Sequence, residues 1–432
     1  MELKIIKMGI NGEGIGYLNG KPVFVPGCLP GERAEVIEVR DHGSYATAEL
    51  TEVVEKSEDR ILARCRKQRA CGGCALMPIR YPRQLYYKQQ LLKEALGKYA
   101  GYHGPIEKTV ECEHIFGYRN KANLPVVERN GQLFNAMYRQ GTNIPVIIEE
   151  CPLHDQKLEA VRKQVLSVLN ECRLGGYKDK KGIRHLMIRG FRQYQVVLIT
   201  GNTEIPEKAI SQISRIPGVT GLFQGINTQK DPVSMMPDSL KLLWGDRNIS
   251  LKMMDLNLSL QPQAFFQLNR EQAEKLYGTV REMTDGHEVV IEAYCGTGLI
   301  SLLLAQKCLK VTGIDINASA IEDAQSNAAA NGITNAEFIC SDAAKETVRL
   351  LEEGRADTLV VDPPRSGLDD RLLDVINESS LEKMIYVSCN PATLGKNIAR
   401  LKNFRIERVV PLDMFPQTAN VEAIVRLTRK KK

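Results

Sequence analysis

The sequence predicts an α/β protein of two or three domains whose C-terminal part is a doubly wound sheet. Three observations carry this. At 432 residues the chain exceeds one ordinary core. Before residue 57, short apolar runs alternate with glycine-rich turns, as in a small β-barrel. Beyond residue 255, strand-like runs alternate with helical patterns.

Taken in order, residues 1–57 hold Gly9-Ile-Asn-Gly-Glu-Gly-Ile-Gly16, Pro22-Val-Phe-Val-Pro26 and the period-2 stretch Ala34-Glu-Val-Ile-Glu-Val39, which together read as an OB-like barrel. Residues 58–254 read as an α+β central domain. Its clearest elements are a helix from Pro82 to Tyr99, with Leu85, Gln89, Leu92 and Leu96 at helical spacings, a helix from Leu158 to Leu169, and a strand over Gln195–Thr200. Residues 255–432 read as a Rossmann-like domain, with strands at Val289–Ala293, Lys310–Asp315, Asp357–Asp362 and Met384–Ser388. Ligands of such sheets bind beyond the carboxyl ends of the strands, so the residues at those ends are the candidates for chemistry.

Bulk composition excludes several classes. The chain is 43% hydrophobic and 25% charged, with a net charge of +6. It shows neither a signal peptide's apolar core nor a run long enough to span a bilayer, so a cytoplasmic, membrane-free location is expected. Eleven cysteines in such a chain are then metal ligands, catalytic thiols or core residues rather than a disulfide scaffold. From Arg60 to Arg83 there are seven Lys or Arg and no acid, the kind of basic strip that phosphate neutralisation requires. The terminal Arg429-Lys-Lys-Lys432 reads as a solvated tail.

Glu292-Ala-Tyr-Cys-Gly-Thr-Gly298 follows the first strand and opens a helix, where glycines allow close approach of a ligand. Asp315, ending the next strand, is placed to accept ribose hydroxyls, although an acid there also suits a helix cap. The pattern predicts an adenosine-containing cofactor. Without a phosphate cradle, S-adenosylmethionine fits better than a dinucleotide.

Asp362-Pro-Pro-Arg-Ser-Gly-Leu368 ends one strand, and its prolines stiffen the exit so that Asp362 faces the cleft. Tyr386-Val-Ser-Cys-Asn-Pro-Ala-Thr-Leu394 ends the next and sets Cys389 at the same rim. A thiolate is soft enough to add to C6 of uracil, which turns C5 into a nucleophile able to take a methyl group. A base must then remove the C5 proton, and Glu422 in Thr418-Ala-Asn-Val-Glu-Ala423 is the candidate. Arg365 stands where amine methyltransferases commonly place an aromatic residue and where RNA cytosine-5 enzymes typically carry their nucleophile, so neither pattern fits. In Gln261-Pro-Gln-Ala-Phe-Phe-Gln-Leu-Asn269, Gln267 is a candidate hydrogen-bonder, and Phe265 or Phe266 a stacking residue.

Cys65-x5-Cys71-Gly-Gly-Cys74 puts three thiols in one tight loop, and Cys151, followed by Pro, offers a fourth. Four cysteines hold either zinc or a [4Fe–4S] cluster, and the unequal spacing differs from the paired Cys-x2-Cys of zinc ribbons. The spacing also differs from the Cys-x3-Cys-x2-Cys of radical S-adenosylmethionine enzymes, so such a centre would be structural.

Over essentially its full length the chain resembles the bacterial uracil-5 RNA methyltransferases, especially the iron–sulfur type acting on 23S ribosomal RNA in Gram-positive bacteria. Ser388-Cys-Asn-Pro-Ala-Thr-Leu394 and the four-cysteine spacing carry the likeness. Asp-Pro-Pro-Arg here differs from the Asp-Pro-Ala-Arg of some ribosomal enzymes, and Leu299 and Asp315 stand where some members carry Asn and Glu. The resemblance implies a TRAM-type barrel, a cysteine-clustered middle and a class I methyltransferase domain. It implies Cys389 as nucleophile and Glu422 as base. It further implies Gln267, Tyr294, Asp315, Asp342 and Asp362 in the cofactor pocket, Cys65, Cys71, Cys74 and Cys151 as [4Fe–4S] ligands, and 23S rRNA as substrate with no obligate protein partner. Transfer RNA as substrate, and a metal-stabilised RNA-binding factor without turnover, are the alternatives.

Overall fold

A computed structural model describes residues 1–230, 235–237 and 239–431. Lys432 of the terminal basic run lies outside these. The chain divides into two compact units that do not follow contiguous stretches. One comprises Met1–Glu113, Glu282–Thr284 and Ala344–Lys432, and the other His114–Arg281 and Asp285–Ala343.

The first unit opens with a closed barrel of β1 (Glu2–Met8), β2 (Gly14–Leu18), β3 (Lys21–Val25), β4 (Arg33–Asp41) and β5 (Ala46–Glu55), ordered β1-β2-β3-β5-β4. Alternation decides what faces inward: Leu3, Ile5, Val23, Val25, Ala34, Val36, Ala46 and Ala48 fill the barrel while their neighbours face solvent. After the barrel come a single-turn helix α1 (Gln68–Cys71) and the twenty-residue α2 (Tyr81–Ala100), which has Pro82 in its first turn and ends on Gly101 at φ +63°. Met8, Leu29, Leu76, Ile79, Tyr87 and Ala419 form one buried cluster, so the barrel, the loop before α2, α2 itself and the segment near Ala419 share a core. Apolar burial of this kind is worth about 25 cal/mol per Å².

The second unit is built around a sheet of β6 (Lys121–Arg129), β7 (Gln132–Tyr138), β8 (Pro145–Ile147), β9 (Ile183–Gly190), β10 (Tyr194–Thr200), β11 (Val219–Ile226) and β12 (Lys241–Gly245), in the order β12-β11-β10-β9-β6-β7-β8. Helices α3 (Gln156–Glu171) and α4 (Glu207–Ser214) cover it, their Leu158, Val161, Val165, Leu169, Ala209 and Ile213 meeting its apolar face. A hairpin of β13 (Ile249–Met253) and β14 (Leu256–Leu260) and helix α5 (Arg270–Met283) follow. Next come three parallel strands, β15 (Val289–Ala293), β16 (Lys310–Asp315) and β17 (Ala336–Cys340), in the order β17-β16-β15. Helices α6 (Leu299–Ala305) and α7 (Ala318–Ala330) connect them.

The chain then returns to the first unit. After α8 (Ala343–Glu352) come β18 (Thr358–Val361), α9 (Asp370–Glu378), β19 (Lys383–Ser388), α10 (Pro391–Arg400), β20 (Phe404–Leu412) and β21 (Glu422–Arg429). Strands β18 and β19 are parallel, while β21 is antiparallel to β19 and to β20, giving the order β18-β19-β21-β20. Near-continuous burial of these strands is what a sheet covered on both faces requires. Helix α10 packs on α2: a Cβ at Gly395 would stand 3.0 Å from the Ala95 carbonyl oxygen, so glycine permits the close approach. Among the described residues no helix is long and apolar enough to cross a membrane.

Candidate active site

Cys389 follows β19 directly and immediately precedes Asn390, the N-cap of α10. Asn390 caps that helix, its Oδ1 accepting the amides of Ala392 (3.2 Å) and Thr393 (3.4 Å), and Pro391 fills the first helical position, where an amide would lack a partner. The same residues grip the Asp362–Leu368 loop. Asn390 Nδ2 and Thr393 Oγ1 both donate to the Arg365 carbonyl, at 3.2 and 3.1 Å. Asn397 Oδ1 accepts the Leu368 amide at 3.0 Å and the buried Tyr386 hydroxyl at 2.8 Å. Gly367 sits at φ +80° against Asn397 and Thr393, where a Cβ would be 2.4 Å from Thr393 Cγ2. The two sequence motifs are therefore halves of one hydrogen-bonded structure. It brings the Arg365 side chain to the thiol.

Three acidic groups gather here. Glu422 is the first residue of β21 and is buried; burial, then the charge of Asp362, push its carboxyl up to about 8, while Arg365 and Lys88 pull the other way. Burial raises Asp362 to about 7. The half-buried Cys389 thiol is also raised, first by burial and then by Glu422, with Arg365 opposing both through its charge and a hydrogen bond. These groups titrate as a coupled set. Such a site sets a thiol beside a carboxyl that exchanges its proton close to neutral pH, the range in which a side chain can both take up and release one.

The segment Asp413–Glu422 is fixed by α2. Lys88 Nζ, fully buried, pairs with the buried Asp413 carboxylate and donates to the Phe415 carbonyl at 3.1 Å. One turn earlier, Gln84 Nε2 donates to Gln417 Oε1 at 3.0 Å, and Gln84 Oε1 accepts the Gln417 amide at 3.0 Å. Neither tie has a local signal in the sequence, because the partners lie more than 300 positions apart.

Four of the candidate cofactor residues belong to the second unit, and Asp362 to the first. Asp315 ends β16, its Oδ2 accepting the Gly296 amide and its Oδ1 the Asn317 amide, each at 2.9 Å. The cap of α7 is Asn317, so the helix-cap alternative for Asp315 falls away. Asp315 instead holds the Gly-x-Gly turn, where Tyr294 is at φ +67° and Gly298, at φ +74°, leaves a Cβ only 2.6 Å from the Phe338 ring. A Cβ on Gly296 would meet nothing within 4 Å, so that backbone faces open space. Asp342 follows β17, next to Ser341, whose amide bonds the Asp315 carbonyl at 3.0 Å. Glu292 is buried and accepts the Ser301 hydroxyl.

Gln267 is buried, and its carbonyl accepts Asn120 Nδ2 at 2.8 Å. The loop carrying it is held by residues the sequence did not flag. The buried Arg189 guanidinium donates to the carbonyls of Gln261 (3.1 Å), Pro262 (3.3 Å) and Ala264 (2.7 Å), and Asp323 takes the amide of Gln261 at 3.0 Å. The neighbouring phenylalanines separate: Phe266 is core, edge-on to Phe191 at 5.7 Å, whereas Phe265 is 66% exposed.

Cys65, Cys71 and Cys74 are half-buried on one loop of the first unit. Its shape is set by bonds from Gln68 N to Cys65 O (3.2 Å), Cys71 N to Lys67 O (2.8 Å), Met77 N to Cys74 O (3.2 Å) and Gln68 Nε2 to Cys74 O (3.0 Å). Among the described residues these three thiols are not gathered within metal-ligand reach of one another, so the loop's fit to a thiolate-held centre rests on its donor types alone. Cys151 belongs to the second unit, in a turn closed by His154 N to Cys151 O at 3.1 Å. The basic strip is partly consumed by structure: Arg60 pairs with the fully buried Glu32, and Arg83 with Asp59 at 2.9 Å.

The chain is similar to known proteins over its whole length. Residues 1–51 match the TRAM domain, and residues 245–430 match the family described as tRNA (Uracil-5-)-methyltransferase. An uncharacterized RNA methyltransferase of Enterococcus faecalis is 36% identical, covering 100% of this chain and 98% of that protein. Another from Clostridium tetani is 35% identical over 99% of this chain and 95% of its own. The crystal structure of Pyrococcus abyssi tRNA (uracil-54, C5)-methyltransferase in complex with S-adenosyl-L-homocysteine matches with a TM-score of 0.81 at 28% identity, over 99% of this chain and 100% of that one. The fold is thus α/β, a Rossmann-like class I methyltransferase domain with an N-terminal TRAM barrel, and its class is that of RNA methyltransferases. Within that class, the chain belongs to the RNA uracil-5-methyltransferase family.

Proposed function

We propose that this enzyme methylates C5 of uridine in 23S ribosomal RNA, with Cys389 as nucleophile and Glu422 as general base. The observation that carries the reading is the gathering of Cys389, Glu422, Asp362 and Arg365 at adjoining strand ends, with the Glu422 carboxyl at about 8. The Cys389 thiolate forms a bond to C6 of the uracil, and the ring's electron pair moves to C5. S-adenosylmethionine supplies the methyl group that C5 takes up. Glu422 accepts the C5 proton, the C5–C6 double bond re-forms, and the C6–sulfur bond breaks to release Cys389. Gln267, Tyr294, Asp315, Asp342 and Asp362 are the residues that bind and orient the methyl donor.

Cys65, Cys71, Cys74 and Cys151 would hold a [4Fe–4S] cluster, whose part here is to staple a basic loop rather than to react. Ribosomal RNA is favoured by that cysteine set beside a basic strip. Transfer RNA is the second reading, since the similar Pyrococcus abyssi enzyme is a tRNA methyltransferase by its description. No protein partner is required, and a cytoplasmic setting suits free thiols and an RNA substrate.

Nucleoside mass spectrometry tests this directly. Unmodified 23S and transfer RNA are incubated separately with the methyl donor and either the native enzyme or Cys389→Ala. 5-Methyluridine in 23S RNA, made only by the native enzyme, is the expected result. Methylation of transfer RNA alone would overturn the substrate assignment, and an active Cys389→Ala would overturn the mechanism.

A further inference from the structure

Cys389 lines a cavity of about 110 Å³ whose wall also includes Ile10 and Asn11, in the turn between β1 and β2 of the barrel. This turn is held firmly. Gly9 N donates to Glu13 O at 2.7 Å and Gly12 N to Gly9 O at 3.0 Å. Gly12, at φ +83°, is seated so closely that a Cβ would lie 2.7 Å from Ala75 Cβ and 3.2 Å from Ala419 Cβ. The buried cluster of Met8, Leu29, Leu76, Ile79, Tyr87 and Ala419 lies directly beneath.

Three side-chain amides line the cavity: Asn11, Asn390 and Asn420. Asn390 Oδ1 is taken by helix α10, and Asn420 Oδ1 accepts Arg365 Nη2 at 3.4 Å. Asn11 is different. Its Nδ2 donates to Glu13 Oε1 at 3.0 Å and its backbone amide to Glu13 Oε2 at 2.8 Å, so the carboxylate fixes which end of the amide is oxygen. Asn11 Oδ1 has no partner among the described residues, and it is an acceptor only.

Uracil presents one ring donor, N3–H, flanked by two carbonyl acceptors. Cytosine presents an acceptor at N3. An oriented acceptor in the wall of the thiol cavity rewards the first pattern and repels the second. We propose that Asn11 is a specificity-determining residue: its Oδ1 accepts N3–H of the target uracil, so the barrel reads the base as well as binding RNA. This rests on the uridine reading above and deepens it.

The test is a two-by-two comparison of kcat/KM. Native enzyme and Asn11→Ala are each given RNA carrying uridine or 3-deazauridine at the target position, the latter replacing N3–H by C–H. Intrinsic reactivity differences between the two bases cancel in the ratio of ratios. The native enzyme should favour uridine by a factor about 10- to 100-fold larger than Asn11→Ala does, the cost of leaving one oriented acceptor unpaired. If Asn11→Ala lowers both activities alike and keeps the native preference, the assignment is wrong while the uridine reading stands. If the native enzyme makes no 5-methyluridine at all, the uridine reading falls and takes this inference with it.

Discussion

At the scale of single residues, the proposed chemistry turns on where the Glu422 proton resides. Burial and Asp362 raise its carboxyl to about 8, so it is largely protonated at neutral pH and becomes an effective base only above that. The Cys389 thiol is raised as well, which puts its reactive form on the same side. The rate of methyl transfer should therefore rise with pH through about 8 without levelling off there, because the raised thiol ionises higher still, and Glu422→Gln should lose about 10²- to 10⁴-fold in kcat. The linkage to stability has the opposite sign. A carboxyl whose folded value exceeds its unfolded 4.5 binds its proton more tightly in the native state, so stability falls as pH rises from 4.5 to about 8. Glu422→Gln removes that loss. Thermal melting should find it more stable than the native enzyme at pH 9, with the difference gone at pH 4. A Gln variant less stable at pH 9 would mean that Glu422 is held as an anion by partners, and the base assignment would fail.

At the scale of elements, α2 owes its role to two polar rungs in an otherwise apolar face. Leu92, Ala95 and Leu96 are buried at helical spacing, and so are Gln84 and Lys88 one turn apart. The spacing makes the helix legible in the sequence. What it grips is not, because Asp413 and Gln417 lie far along the chain and periodicity reports only local structure. The same limit hid β17 and β20, while the strands leading up to Asp315, Asp362 and Cys389 stood out because motif residues punctuate them. A buried ion pair contributes little net stability when intact, yet removing one partner strands the other without water. Lys88→Met should cost about 3–5 kcal/mol in denaturant unfolding, and Lys88→Met with Asp413→Leu should recover most of it. If the single variant costs nothing, Asp413 is not held as an anion by Lys88, and the tie between α2 and the segment leading to Glu422 is weaker than its geometry implies.

At the scale of the whole molecule, charge must serve both folding and RNA, and the structure separates the two uses within one strip. The sequence shows seven cations between Arg60 and Arg83 as equals, since their partners lie outside the strip. In the fold, Arg60 lies against Glu32, which is fully buried, and Arg83 meets Asp59. Arg66 and Lys67 are exposed and make no ion pair among the described residues. Only cations of the second kind have charge left for phosphates, and each phosphate contact steepens the salt dependence of RNA affinity by roughly 0.7–0.9 in log–log slope. Arg66→Ala and Lys67→Ala should each flatten the dependence of log Kd on log salt by about that amount, with little change in unfolding free energy. Arg60→Ala should do the reverse, leaving the slope intact while costing about 3–5 kcal/mol, because Glu32 loses the cation that neutralises it in the core. Fluorescence anisotropy across a salt series, with denaturant unfolding of the same proteins, reads both quantities. A flattened slope in Arg60→Ala without loss of stability would return all seven cations to a single RNA-facing role.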